Sequence, residues 1–272
     1  MANFGSCCSI LFIPLYFEGQ NYNNSLFYRS KIIKKMKDLI GQAILDYQVT
    51  KKPAVILTET DISEAEEMEV SYWFRSYKDM PELEQIALKK SKGKILDVGC
   101  GAGSHALYLQ EKNLDVTAID ISPKAIEACQ LRGVKNTKTA NILDIKNEQY
   151  DTILLLMNGT GIFGRLIHIT TYLEHLKSLV ASGGQILIDS SDLIYMFDED
   201  EDGGKWIPMD NKDYYGELVF SVEYKGETED AFPWLYLDYN TLQNAAHGCG
   251  LHCEILYEGE NFDYLARLTV NR

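Results

Sequence analysis

Positive charge is scarce in this chain. Its 272 residues hold 26 Lys and Arg against 40 Asp and Glu, a formal net charge of −14. A nucleic-acid groove is lined with Lys and Arg, so this balance argues against a DNA or RNA partner. Long apolar runs are missing too. None approaches the roughly 18 residues that span a bilayer, and no membrane partner is expected. Six cysteines in a chain of this length make no disulfide framework. Cys100 in a glycine-rich turn and Cys129 in a predicted helix suit a reducing, cytoplasmic setting. His247, Cys249, His252 and Cys253 crowd into one short stretch. Zinc sites draw their ligand pairs from separated segments, and Gly248 and Gly250 read as a helix stop, so no metal is expected. No internal repeat is visible.

Residues 1–35 lack the periodicity of the rest of the chain. Their apolar stretch, Phe4 to Phe17, precedes the basic cluster Arg29, Lys31, Lys34, Lys35 and Lys37, the reverse of a secretory signal. The segment is expected to be a disordered N-terminal extension, with Met36 as the true start. Residues 36–272 then form one domain. Its N-terminal part, 36–92, reads as three helices: Asp38 to Tyr47, Ser63 to Lys78 opened by a Ser63-x-x-Glu66 capping box, and Met80 to Lys90.

What is present is a strand–helix alternation. Strands are expected at 94–98, 115–119, 137–140, 150–157 and 185–189, the last entered through a Gly183-Gly184 turn. Helices are expected at 104–112, from Ser122-Pro123 to Gly133, and along the Ile169, Leu173, Leu176, Val180 stripe. Residues 190–238 break that rhythm. They form an insertion with two short strands, and residues 189–213 carry nine acids and two lysines, net −7. A helix at 240–248 and an antiparallel pair, 251–257 and 264–270, close the chain. The expected fold is α/β: a doubly wound, Rossmann-like seven-stranded sheet, mostly parallel, with an antiparallel C-terminal hairpin and helices on both faces.

The most informative stretch is Lys94 to Gly103, followed by Asp120. Gly99, Gly101 and Gly103 make a turn without side chains at a helix start, where backbone N–H groups can approach a ligand. Asp120 ends the next strand, where a carboxylate can accept the hydroxyls of a ribose. The sixth position of a dinucleotide Gly-x-Gly-x-x-Gly is Ser104, so that fingerprint fits imperfectly. Asp97 would repel a pyrophosphate but suits a ligand bearing an ammonium group.

Asp97-Val98-Gly99-Cys100-Gly101-Ala102-Gly103 resembles motif I of the class I S-adenosylmethionine-dependent methyltransferases, and Asp120 matches their ribose-binding acid. The strand order with its closing hairpin is similar over roughly residues 70–272. The resemblance implies S-adenosylmethionine as cofactor, held by Tyr72, Arg75, Asp97, Gly99, Cys100, Gly101, Gly103, Asp120, Ile121, Asn141, Ile142, Met157 and Asn158. Tyr72, Trp73 and Arg75 would lie over the methionine end, with Arg75 on its carboxylate. Asn141 stands where the family often has an acid near the adenine amine. Asn158-Gly159 replaces the Asn-Pro-Pro-Tyr of DNA amino-methyltransferases, which disfavours DNA again. Methyl transfer needs alignment more than acid–base chemistry, and no catalytic signature is present. Asn158, Asp189, Asp192 and Tyr195 are the catalytic candidates, because they fall at the carboxyl ends of the fourth and fifth strands. The implied acceptor is a small molecule, neutral or cationic, covered by the 190–238 insertion. A non-catalytic nucleoside-binding protein of this fold and an NAD-type oxidoreductase are the alternatives.

Overall fold

The computed structural model describes residues 37–207 and 214–271. The expectations for residues 1–35 and Met36 lie outside the described residues. In chain order come helix α1 (Leu39–Thr50), strands β1 (Val55–Thr60) and β2 (Ser63–Glu69), and helix α2 (Glu82–Lys90). The alternating section comes next: β3 (Lys94–Val98), α3 (Ser104–Glu111), β4 (Asp115–Asp120), α4 (Pro123–Arg132), β5 (Asn136–Thr139), β6 (Tyr150–Leu155), α5 (Ile169–Leu179) and β7 (Val180–Ser191). Strands β8 (Glu217–Tyr224), β9 (Glu227–Thr228) and β10 (Phe232–Leu235) precede α6 (Tyr239–Gly248), β11 (Leu251–Glu258) and β12 (Asp263–Val270).

Seven strands form the large sheet, in the order β11-β12-β7-β6-β3-β4-β5. The five strands from β3 to β7 run parallel, and β12 enters antiparallel between β7 and β11. This is the expected Rossmann-like sheet. Alternate side chains divide between two cores. Leu96, Ile153, Leu155, Ile186 and Ile188 pack with α1, α5 and α6, while Ile95, Leu154 and Leu187 pack with α2 and α3. Strand residues of both faces are therefore apolar, as in any sheet covered by helices on either side. Strand β7 runs through Gly183-Gly184 in place of the expected turn. The pairing with β6 shifts register there, from Tyr150↔Val180 to Thr152↔Gln185.

The second helix expected in 36–92 does not exist. Ser63–Glu69 is an extended strand, followed by a 3-10 turn over Val70–Phe74. Glutamate-rich sequence favours helix locally, but pairing with β1 overrides that preference. The Ser63 hydroxyl meets Thr60 Oγ1 at 2.8 Å across the hairpin rather than capping a helix. Glu64, Glu66, Glu67 and Glu69 face solvent, and only Met68 of this strand is buried. Charge along an exposed edge discourages further strand pairing. The hairpin belongs to a second, five-stranded sheet, order β10-β8-β1-β2, with β9 paired to β8. The β1–β2 hairpin and strands β8 to β10 of the insertion thus share one sheet, joined by pairs such as Leu57↔Glu223 and Thr60↔Phe220.

Candidate active site

The turn after β3 is built as its glycines demand. Gly99, Gly101 and Gly103 have φ of 80°, 50° and 79°, a left-handed conformation that other residues adopt only with strain. The N–H groups of Gly99 and Cys100 both donate to the Ile119 carbonyl, at 2.8 and 3.1 Å. This locks the turn to the end of β4. A Cβ on Gly101 would stand 3.3 Å from Trp73 Cδ1, so the aromatic ring rests directly on bare backbone. Cys129 Sγ donates to the Gly101 carbonyl at 3.1 Å and lies 3.7 Å from Cys100 Sγ.

Asp120 is buried at the tip of β4. Its carboxylate accepts from Gly101 N at 3.0 Å and from Ser122 N at 2.7 Å. Each oxygen keeps a second lone pair for a ligand. Burial raises its pKa well above the usual range; those two N–H groups oppose the shift, and the charges of Asp38 and Asp97 add to it. Asp97 is also buried, with one carboxylate oxygen that has no partner. Its pKa is raised by burial against the opposing charge of His105.

Two clefts meet at Asp120 and Ile121. One, of about 300 Å³, is walled by Val98, Gly99, Asn141, Ile142, Ile162 and Tyr172, among others. The other, of about 340 Å³, lies between the glycine turn, Trp73 and the first turn of α1. Asn141 lines the first of these clefts, and its side-chain oxygen accepts from Leu143 N at 2.9 Å. The glycine turn, two buried carboxylates and the unpartnered Asp97 oxygen fit a nucleoside that carries positive charge.

A family model described as a methyltransferase domain matches residues 71–222. A solved S-adenosylmethionine-dependent methyltransferase from Bacteroides fragilis, in complex with S-adenosyl-L-homocysteine, is 45% identical. The match covers 87% of this chain and 96% of that one, with a TM-score of 0.80. The chain belongs to the S-adenosylmethionine-dependent methyltransferase family. Among curated proteins, Hemagglutinin 1 of Eikenella corrodens is 28% identical over 156 residues, 55% of this chain and 45% of that protein. Ribosomal RNA small subunit methyltransferase C of Shewanella sediminis is 28% identical over 127 residues, 46% of this chain and 33% of that protein. The chain thus spans less than half the length of these two curated relatives.

Within this methyltransferase, the aromatic-plus-Arg cluster divides. Trp73 lines the cleft, whereas Tyr72 and Arg75 line neither cleft. The Arg75 guanidinium is buried in an ion pair with Glu84 and lies 4.0 Å over the Tyr72 ring. Glu84 also binds His105 Nε2 at 2.5 Å. Burial disfavours the charge of His105, but the Glu84 bond and charge prevail and raise its pKa. Arg75, Glu84 and His105 form a buried chain that ties α2, α3 and the 3-10 turn carrying Trp73 together.

Of the catalytic candidates, Asn158, Asp189 and Asp192 lie at the carboxyl ends of β6 and β7. Met157 and Asn158 adopt left-handed φ of 68° and 59°. Asp189 holds that bend, accepting from Met157 N at 3.1 Å and Gly159 N at 2.8 Å. Its pKa is pushed up to about 7 by burial, against those backbone bonds. Asn158 is buried: its oxygen accepts from Ser190 Oγ at 3.0 Å, and its Nδ2 has no partner. Asp192 accepts from Tyr215 OH at 2.7 Å and from Ile194 N at 2.9 Å. Tyr195 stands apart from this group, partly exposed and stacked on Phe262 at 5.0 Å.

The 190–238 segment packs on the loop after β6. Thr160 Oγ1 donates to the Leu235 carbonyl at 2.9 Å, and Leu237 N donates to Ser190 Oγ at 2.8 Å. A Cβ on Gly161 would meet Trp234 at 1.8 Å, so only glycine admits that indole. Trp234, Tyr236 and Tyr214 are buried within this packing. Sequence reasoning missed the contribution of α1, whose Asp38, Ile40, Gly41 and Ile44 line the cleft. The available signal was Gly41 inside a helical pattern, which marks close packing. Among the described residues no three His, Cys, Asp or Glu side chains converge as a metal would require, and no helix is long and apolar enough to cross a membrane.

Proposed function

We propose that this protein methylates a small-molecule acceptor held at the carboxyl ends of β6 and β7, beneath the 190–238 segment. The observation that carries the reading is the seating of that segment on the Asn158–Gly164 loop, through Thr160–Leu235, Ser190–Leu237 and Trp234 over Gly161. Substrates of open α/β sheets bind at that edge. S-adenosylmethionine, when bound, supplies a methyl group already activated as a sulfonium.

The chain's residues then divide the labour. Asp120 takes the ribose, Asp97 supports the turn beneath the methionyl amine, and Ile121, Asn141 and Ile142 border the adenine. Trp73 closes the methionine side. Asn158 offers its free amide hydrogens to the acceptor, and Asp189 is a positioning residue that keeps Asn158 in place. Asp192, oriented by Tyr215, is the carboxylate placed to take a proton from a hydroxyl or protonated amine. The net −7 of residues 189–213 favours a neutral or cationic acceptor over an anionic one.

The deciding experiment is a methyl-transfer screen with labelled cofactor against amines, phenols, carboxylates, thiols and ribosomal RNA. Transfer to an amine or phenol, with Asp192→Asn lowering kcat and leaving cofactor affinity intact, is the expected result. Transfer confined to a carboxylate or phosphate-bearing acceptor, or to RNA, would overturn the acceptor assignment.

A further inference from the structure

Helix α1 brings a second acid to the cofactor cleft. Asp38 is its N-cap residue, held at a left-handed φ of 57°, and its side chain accepts from Gly41 N at 3.2 Å. The other carboxylate oxygen accepts from Ser122 Oγ at 2.9 Å, on the residue that caps α4 and bonds Asp120. A Cβ on Gly41 would stand 2.0 Å from that hydroxyl, so the two helix starts touch through a glycine. The Glu229 carboxylate, from the segment between β9 and β10, clamps the same turn by accepting from Lys37 N and Leu39 N, both at 2.9 Å. Asp38 is therefore fixed from three sides, and it lines the cleft together with Asp120, Gly101 and Trp73.

We propose that Asp38 is a cofactor-site residue that, with Asp120, biases the cleft toward the cationic methyl donor over its neutral demethylated product. The inference rests on the cofactor reading above. S-adenosylmethionine carries a carboxylate, an ammonium and a sulfonium, one net positive charge; S-adenosylhomocysteine lacks the sulfonium and is neutral overall. Asp38, Asp97 and Asp120 are all buried around the glycine turn. The cations near them are His105, beside Asp97, and Lys124, whose ammonium is spent on the carbonyls of Lys37 and Asp38 at 3.2 and 3.5 Å. Burial raises the pKa of Asp38 and of Asp120, and repulsion by the nearby charges of Asp38 and Asp97 adds to the shift at Asp120. A ligand with surplus positive charge relieves that repulsion, and a neutral one does not. Loss of the sulfonium on transfer then loosens the product, which favours turnover.

Calorimetry of both ligands with wild type and Asp38→Asn tests this. Asparagine caps helices as well as aspartate and tolerates a left-handed φ, so the substitution removes charge and keeps the turn. The methyl donor is expected to bind about fivefold more weakly or worse, and the product about twofold or less, because charge–charge terms fall with ligand charge. Lys124→Gln removes the offsetting cation and should shift the donor-to-product ratio the other way. Equal losses for both ligands, or unchanged affinity in both variants, would overturn the proposal. A wild type that binds neither ligand would instead defeat the cofactor reading, and this inference with it.

Discussion

The two sheets of this methyltransferase are built from different kinds of information. In the large sheet, β3, β4 and β5 are neighbours in sequence as in space, as are β6 and β7, each linked by a short helical crossover or turn. In the small sheet, β1 pairs with β8 across more than half of the sequence. The first carries the glycine turn and Asp120, and the second is the wall that we propose faces the acceptor. On that reading the cofactor site rests on local motifs, whereas the acceptor wall rests on long-range packing.

That contrast breaks most sharply at Trp234. The residue is fully buried between the small sheet and the loop after β6. Trp234→Ala should cost about 3–5 kcal/mol in urea unfolding, the usual loss for a buried large aromatic. If the two sheets are functionally separate, the surviving folded fraction keeps its affinity for S-adenosylhomocysteine but loses methyl transfer. A variant that lost both together would show the division to be false.

Next in size is Asp120→Ala, aimed at the other sheet. Losing a charge-assisted hydrogen bond to the ribose costs about 1.5–3 kcal/mol, so cofactor affinity should fall at least about tenfold by calorimetry. Unchanged affinity would remove Asp120 from the site.

A subtler probe uses pH. Burial raises the pKa of Asp189 from 3.8 to about 7 in the folded state. Between those values the folded protein binds the proton that the unfolded chain releases. The contribution of Asp189 is therefore fully present below about pH 4 and is lost as pH rises toward 7. Asp38, Asp97 and Asp120 are shifted in the same direction. Urea midpoints at pH 4.5 and 7.5 should differ less in Asp189→Asn than in wild type. An equal difference in both proteins would mean that Asp189 does not titrate in this window.

The smallest effect belongs to the exposed edge of the small sheet. Glu64→Gln on β2 should leave stability within about 0.5 kcal/mol. A larger loss in thermal unfolding would reveal that this edge is energetically engaged.

The sequence made the crevice legible because its chemistry is local. Three glycines announce one turn with three left-handed residues, and a carboxylate after an apolar run announces the tip of a parallel strand. The small sheet was illegible for the opposite reason. Ser63-Glu64-Ala65-Glu66 has the composition of a helix start, and nothing nearby reveals that its partner strand itself pairs near residue 220. Arg75, expected on the methionine carboxylate, is paired with Glu84, a partner that its spacing does not announce. A guanidinium takes the carboxylate that is buried beside it, and spacing along the chain cannot identify that carboxylate. Asp38 escaped notice because a helix cap has the same residue preference whether or not it borders a cleft.

The β1–β8 pairing also carries an entropic cost of its own. Bringing distant segments together costs loop-closure entropy before any contact offsets it, so such pairings form late. The strands and turns around Gly101 and Asp120 can assemble among near neighbours while β1 and β2 are still a loose hairpin. The wall that α1 gives the cleft, clamped by Glu229, is completed only when those distant segments meet. A ligand bound against Asp38 and Asp120 would then favour the assembled state, and thermal unfolding with S-adenosylhomocysteine should show a raised midpoint.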